Sequence, residues 1–301
     1  MQKIFKTGLT LVMLLLTMPA MARLSVFACE PEWAALAAEL GGERVTGYSA
    51  TTAKQDPHHI EARPSLIARV RNADLLICSG AELEIGWLPL LLRQAGNAAV
   101  MPGRAGYLEA ASLVQRLEIP TSVDRSMGDV HAGGNPHVHL DPRHIATIGK
   151  ALGQRLAELD PAGSAYYQQR QQDFLRRWQQ ALERWQKQAA PLKGMRVVTH
   201  HRDWVYLFNW LGMVTAGTLE PRPGLPTTAG HLVNLKQELA RSPAKMIVHA
   251  AYQDDRAAQR MSQLSGIPVL ELPYTVGGAA KAGDLFSLFD VTLARLLAAA
   301  S

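Results

Sequence analysis

Short apolar runs alternate along the chain with longer stretches in which apolar positions recur every three or four residues. The runs at 24–28, 44–50, 74–78 and 98–101 predict strands, and the periodic stretches between them predict helices. The first helix spans 31–41, with Pro31 suited to its first turn and Gly41-Gly42 to its end. A second covers 64–72, with Leu66, Ile67 and Val70 on one face, and a third covers 84–95. Residues 120–136 are polar and glycine-rich and read as a surface loop. Helices at 143–159 and 162–188 follow, separated by Asp160-Pro161, and the longer one carries Tyr166, Phe174, Trp178, Leu182 and Trp185 near a 3.6-residue period. The rhythm then restarts, with strands at 195–199, 213–219, 245–249 and 267–272 and helices at 204–210, 228–241, 256–265 and 285–300. Strand–helix alternation of this kind builds parallel sheets covered by helices. The expected fold class is therefore α/β: two parallel-sheet lobes joined by one long helix, with a ligand cleft between the lobes. The expected boundaries are 23–160, 161–190 for the linking helix, and 191–301. Loops at the carboxyl ends of the strands should line the cleft.

Residues 1–22 do not join this pattern. Lys3 and Lys6 precede an apolar stretch from Leu9 to Met18, and Ala20-Met21-Ala22 has the small-x-small form of a cleavage site. This reads as a secretory signal peptide, with the exported chain beginning at Arg23 and residing in the periplasm. The apolar stretch is short for a membrane span. Lipidation at Cys29 is disfavoured, because that residue lies well past the apolar stretch.

Removing 22 of the 301 residues leaves 279, long enough for two ordinary domains. The cut also removes two lysines, so 29 basic and 26 acidic side chains remain, a net charge of about +3 at neutral pH. The signs are mixed, no basic block stands out, and a nucleic-acid partner is not expected. The two cysteines, Cys29 and Cys78, each follow a short apolar run; a disulfide and two buried thiols both remain open.

Ten histidines are the compositional oddity. Three segments place them in loops: Asp56-Pro57-His58-His59, Asn135-Pro136-His137-Val138-His139-Leu140-Asp141-Pro142, and His200-His201-Arg202-Asp203. Neutral imidazole suits zinc and other borderline ions. An Asp lies close to a histidine in every segment and could accept the second ring N–H. Neighbours such as His58-His59 and His200-His201 cannot both point the same way, so one of each pair is the ligand candidate. Spacing alone leaves a metal site and ordinary loop histidines both open. The chain has no Cys-x-x-Cys and no His-Glu-x-x-His, which disfavours a zinc finger or a zincin protease.

Taken together and in order, these segments resemble the metal-binding solute-binding proteins of ABC importers, the cluster A-I family that includes the zinc-uptake binding proteins. Asp56-Pro57-His58 is similar to that family's D-P-H loop. Residues 135–142 are similar to its N-P-H-x-W-L-D-P, with His139 where Trp is usual. His201 followed by Tyr206 is similar to its third loop. The resemblance covers essentially the whole chain after the leader. It implies His58, His137 and His201 as metal ligands, no enzymatic activity, and a membrane permease of a metal ABC importer as partner to a monomeric carrier; three nitrogen ligands and no assured carboxylate then favour Zn²⁺ as the transported ion over Mn²⁺, which prefers oxygen.

Two departures follow. The family often supplies an Asp ligand from an L-D-P step, where this chain reads Leu270-Glu271-Leu272-Pro273-Tyr274. The fourth position then falls to Asp284, His139 or a water, with Asp284 also suited to cap the last helix. The long His-rich loop of zinc members is represented in 121–135 by His131 alone. Three alternatives stand beside the carrier reading. One is a carrier of manganese or iron. Another is an adhesin on the same scaffold. The third is a three-histidine zinc hydrolase with Glu61 or Asp203 as base.

Overall fold

The computed structural model describes residues 23–124 and 127–301; the leader expected over residues 1–22 lies outside the described residues. The first lobe contains β1 (Leu24–Ala28), α1 (Pro31–Gly41), β2 (Val45–Ser49), α2 (Pro64–Arg71), β3 (Leu75–Cys78), α3 (Leu88–Ala95) and β4 (Tyr107–Glu109). Two long helices follow, α4 (Pro142–Leu159) and α5 (Ser164–Gln188). The second lobe contains β5 (Arg196–Thr199), α6 (Val205–Leu211), β6 (Val214–Thr218), α7 (Ala229–Arg241), β7 (Met246–Ala250), α8 (Arg256–Ser265), β8 (Val269–Leu272) and α9 (Leu285–Ala300). Each sheet has four parallel strands, in the orders β2-β1-β3-β4 and β6-β5-β7-β8. The two lobes thus repeat one topology.

In that order the chain reverses direction across the sheet beside the first strand of each lobe. Such a switch point leaves a crevice at the carboxyl ends of the strands. Cys29, just past β1, and Cys78, ending β3, are joined by a disulfide across the first crevice. His200 and His201 leave β5 at the second.

Local chemistry sets the helix starts. Asp141 caps α4 by accepting from Arg143 N, with Pro142 in the first turn. Asp284 and Ser287 form a reciprocal capping box on α9. The expected strand at 98–101 is instead a single 3₁₀ turn, Ala98–Val100, begun by Asn97, whose side chain accepts from Ala99 N. The sheet's last strand lies further on, at Tyr107–Glu109. The third helix begins at Leu88, later than its apolar pattern implies, because 81–87 is spent in turns and Ala81 and Glu82 take positive φ.

The buried face of α5 is Tyr167, Phe174, Trp178, Ala181 and Trp185, while Tyr166 and Leu182 fall at its margins. Trp178 and Trp185 meet Phe289 of α9 at ring-centroid distances of 5.7 and 5.1 Å. The helix is therefore packed along its length against α4, α1 and α9. One continuous apolar core runs from Val26 and Leu36 through Leu152 and Trp178 to Phe208, Val248 and Leu293, so it belongs to both lobes. Two smaller clusters fill the outer faces of the sheets.

Candidate metal centre

His58 sits in the loop that follows β2. Asp56 makes a local turn there, accepting from His58 N at 3.0 Å and from His58 Nδ1 at 2.7 Å. Trp87 Nε1 donates to Pro57 O at 2.9 Å and fixes the loop from below. His58 turns inward with its side chain 9% exposed, whereas that of His59 is 69% exposed.

His137 follows the polar loop and is fully buried. Asn135 Oδ1 accepts from His137 N at 3.1 Å, and Asn135 Nδ2 donates to Arg202 O at 2.9 Å. Tyr206 OH donates to Asn135 O at 2.7 Å, which ties the second lobe to this loop. Gly134, at φ 92°, lets the chain pass Leu117 O, which a Cβ would meet at 2.9 Å. His137 Nδ1 pairs with Tyr274 OH at 2.7 Å.

His201 follows β5, and its Nδ1 lies 2.6 Å from Glu220 Oε2. Gly224 N donates to the same oxygen at 2.9 Å. Its neighbour His200 turns toward the other Glu220 oxygen, 3.8 Å away.

These loops bring His58, His137 and His201 together, each offering one ring nitrogen within 4.8 Å of the others. Ring centroids are 5.6, 5.6 and 6.0 Å apart, and the rings stand nearly perpendicular, at 76 to 78°. In each ring Nδ1 is taken by an oxygen partner, which leaves Nε2 for the common point. A partner of this kind fixes both tautomer and ring orientation.

Only one of the three partners is the nearby Asp that the sequence suggests. Asp56 serves His58. Asp141 instead pairs with Arg143 and caps α4. Asp203 does not reach His201 Nδ1. Tyr274 and Glu220 fill those roles from 137 and 19 residues away, and only the folded sheets bring them near.

Asp203 and His131 border the centre, whereas His139, Asp284 and Glu61 are placed otherwise. Asp203 is fully buried; Gln253 Nε2 donates to its Oδ2 at 2.7 Å. His131 stacks on His58 at 5.3 Å between centroids, with its Nε2 3.3 Å from His58 Nε2. Its loop is pinned by Ala132 N donating to Glu82 Oε2 at 2.6 Å. His139 is committed elsewhere, with Nε2 3.0 Å from Tyr274 O and Nδ1 3.1 Å from Glu32 Oε1. Asp284 is exposed, and its Oδ1 accepts from Ser287 N at 2.7 Å. Glu61 is exposed on its loop.

The electrostatics separate the three histidines. Burial opposes a charge on His201, yet Asp203, Glu220 and Asp56 outweigh it and raise its pKa to about 9. Burial, then the charges of His58 and His201, holds His137 well below the usual imidazole range. His131 is lowered to about 4 by burial and by the same two neighbours. Two shallow cavities of ≈ 240 and ≈ 260 Å³ reach the centre from the surface, and Asp56, Asp129 and Glu220 are among their walls. Acidic walls raise the local concentration of cations.

This geometry agrees with the comparison to known proteins. The zinc-uptake complex component A family, periplasmic (ZnuA), matches residues 26–299. The chain belongs to that family. A metal ABC transporter substrate-binding lipoprotein of Streptococcus mutans, SloC, is 24% identical over 275 residues, covering 88% of this chain and 85% of that protein. The manganese ABC transporter substrate-binding lipoprotein PsaA of Streptococcus anginosus is 21% identical, covering 88% and 84%. The crystal structure of ZnuA superposes with a TM-score of 0.78 at 20% identity, over 93% of this chain and all of that one. Members of the ZnuA family are substrate-binding components of metal ABC transporters, so this chain is a carrier and not an enzyme, and its partner is a membrane permease. The hydrolase alternative falls with that assignment.

Proposed function

We propose that this protein captures Zn²⁺ in the periplasm on His58, His137 and His201 and delivers it to its permease as a monomer. The observation that carries the reading is the convergence of three imidazoles whose Nδ1 atoms are all engaged by Asp56, Tyr274 and Glu220. Three borderline nitrogen donors favour zinc over manganese, which prefers oxygen. A manganese carrier is the second reading, supported by the names of the streptococcal relatives.

Titration of chelator-stripped protein with Zn²⁺ and Mn²⁺ in competition tests both. Tight zinc binding that survives excess manganese is expected, with loss in a His58→Ala, His137→Ala, His201→Ala triple variant. Zinc affinity unchanged in that variant would refute the ligand set, and preferential retention of manganese would favour the second reading.

A further inference from the structure

The buried carboxylate of Asp203 has one oxygen in use and one idle. Gln253 Nε2 donates to Oδ2 at 2.7 Å and Tyr252 OH donates to it at 3.4 Å. Oδ1 is buried and has no hydrogen-bond partner among the described residues. A carboxylate oxygen left unpaired away from water is costly, and proteins rarely keep one without a use. This one points to the centre: it is 3.7 Å from His201 Nε2 and 3.9 Å from His137 Nε2. Both separations are too long for hydrogen bonds. They are close to what a shared ion requires, since ligands about 2.0–2.1 Å from a tetrahedral metal stand roughly 3.3 Å from one another.

The competing fourth donors are otherwise placed. Asp284 is spent on its cap; His139 engages Tyr274 O through Nε2 and turns Nδ1 toward Glu32, 3.1 Å away. His131 Nε2 lies 3.3 Å from His58 Nε2 on the cavity side, against one ligand nitrogen, whereas Asp203 Oδ1 faces two. The segment after β8 reads Leu272-Pro273-Tyr274 and offers no carboxylate there; its Tyr274 OH is the partner of His137 Nδ1.

We infer that Asp203 Oδ1 is the fourth ligand of the transported ion, giving a three-nitrogen, one-oxygen donor set. The inference rests on the three-histidine reading above. Gln253 and Tyr252 hold the carboxylate by its other oxygen, so a small inward shift completes the set. Delivered from the third histidine loop, two residues past His201, the oxygen ligand moves with that loop and not with the segment after β8.

The test uses the full exported chain, with Co²⁺ as a spectroscopic stand-in for Zn²⁺. Asp203→Ala and the near-isosteric Asp203→Asn should each weaken zinc binding by at least about 10- to 100-fold, measured by chelator competition. Thermal melting of the metal-free variants separates this from misfolding. Asp203→Cys gives a readout that a purely structural role would not move. The native cysteines are paired with each other, so a thiolate-to-cobalt charge-transfer band in this variant can arise only from position 203. That band is expected. Wild-type zinc affinity in folded Asp203→Ala, or a Co²⁺ spectrum of Asp203→Cys without the band, would overturn the assignment. Loss of binding in His137→Ala alongside either result would leave the histidine reading intact. Retained binding in His137→Ala would count against that reading instead.

Discussion

Tyr274→Phe removes one oxygen atom from the protein and tests how the centre is held. When His137 Nε2 faces the ion, its Nδ1 carries the proton and donates to Tyr274 OH, 2.7 Å away. Both residues are buried, at 1% and 2% exposure, so water cannot replace the lost acceptor. Leaving a buried donor unsatisfied costs about 1–3 kcal/mol. The cost is largest in the loaded state, where the tautomer is fixed; in the empty state the ring can turn or exchange tautomers. Zinc affinity should therefore fall by about 10- to 100-fold, the range typical of lost outer partners. The ring stays, and with it the edge contacts to His137 and His139 at 5.6 and 4.9 Å, so melting of the metal-free protein should change little. Competition against a chelator of known affinity reads the effect. An affinity within twofold of the wild type would refute the view that Tyr274 orients His137.

The raised pKa of His201, about 9, means that it is protonated at neutral pH in the metal-free protein and must lose that proton to bind. Affinity should climb roughly tenfold per pH unit from pH 7 to about 9, and calorimetry in buffers of different ionisation enthalpy should show about one proton released at pH 7; no release would contradict the linkage. Because the folded pKa lies above the unfolded one, the same group contributes stability to the metal-free fold below about pH 6.5 that is lost as pH rises through 9. Opening the Cys29–Cys78 bridge with a Cys29→Ser, Cys78→Ser pair frees a 49-residue span and should cost about 4 kcal/mol in denaturant unfolding; a loss below about 1 kcal/mol would refute the loop-entropy argument. Trp178→Ala empties the centre of the shared core and removes the bond from Trp178 Nε1 to Pro142 O, for an expected loss of about 3–5 kcal/mol by the same assay.

The strand–helix rhythm was legible because both sheets are parallel and buried, so their strands appear as bare apolar runs, as Leu75–Cys78 does. The strand Tyr107–Glu109 was not, since it is three residues long and half polar, and Ala98–Val100 is the more apolar stretch. At the centre, His58, His137 and His201 stood out through local motifs. Tyr274 and Glu220 carried no such mark. Their roles depend on the register of β8 and β6 against their neighbours, which no local spacing encodes. Asp203 was visible as a neighbour of His201, but the ring-partner role expected of it is filled by Glu220, and Asp203 Oδ1 lies on the Nε2 side of the ring at 3.7 Å.

The core shared by both lobes has a mechanical consequence. Swinging the lobes apart far enough to wet Trp178 and Phe289, both about 1% exposed, would uncover roughly 300–500 Å² of aromatic surface. At about 25 cal/mol per Å² that is roughly 8–12 kcal/mol, comparable to the whole stability of an ordinary domain. A clamshell motion would thus amount to unfolding. On this reasoning a permease that tells a full carrier from an empty one is expected to read the loops bearing His58, His131 and His201, not the angle between the lobes.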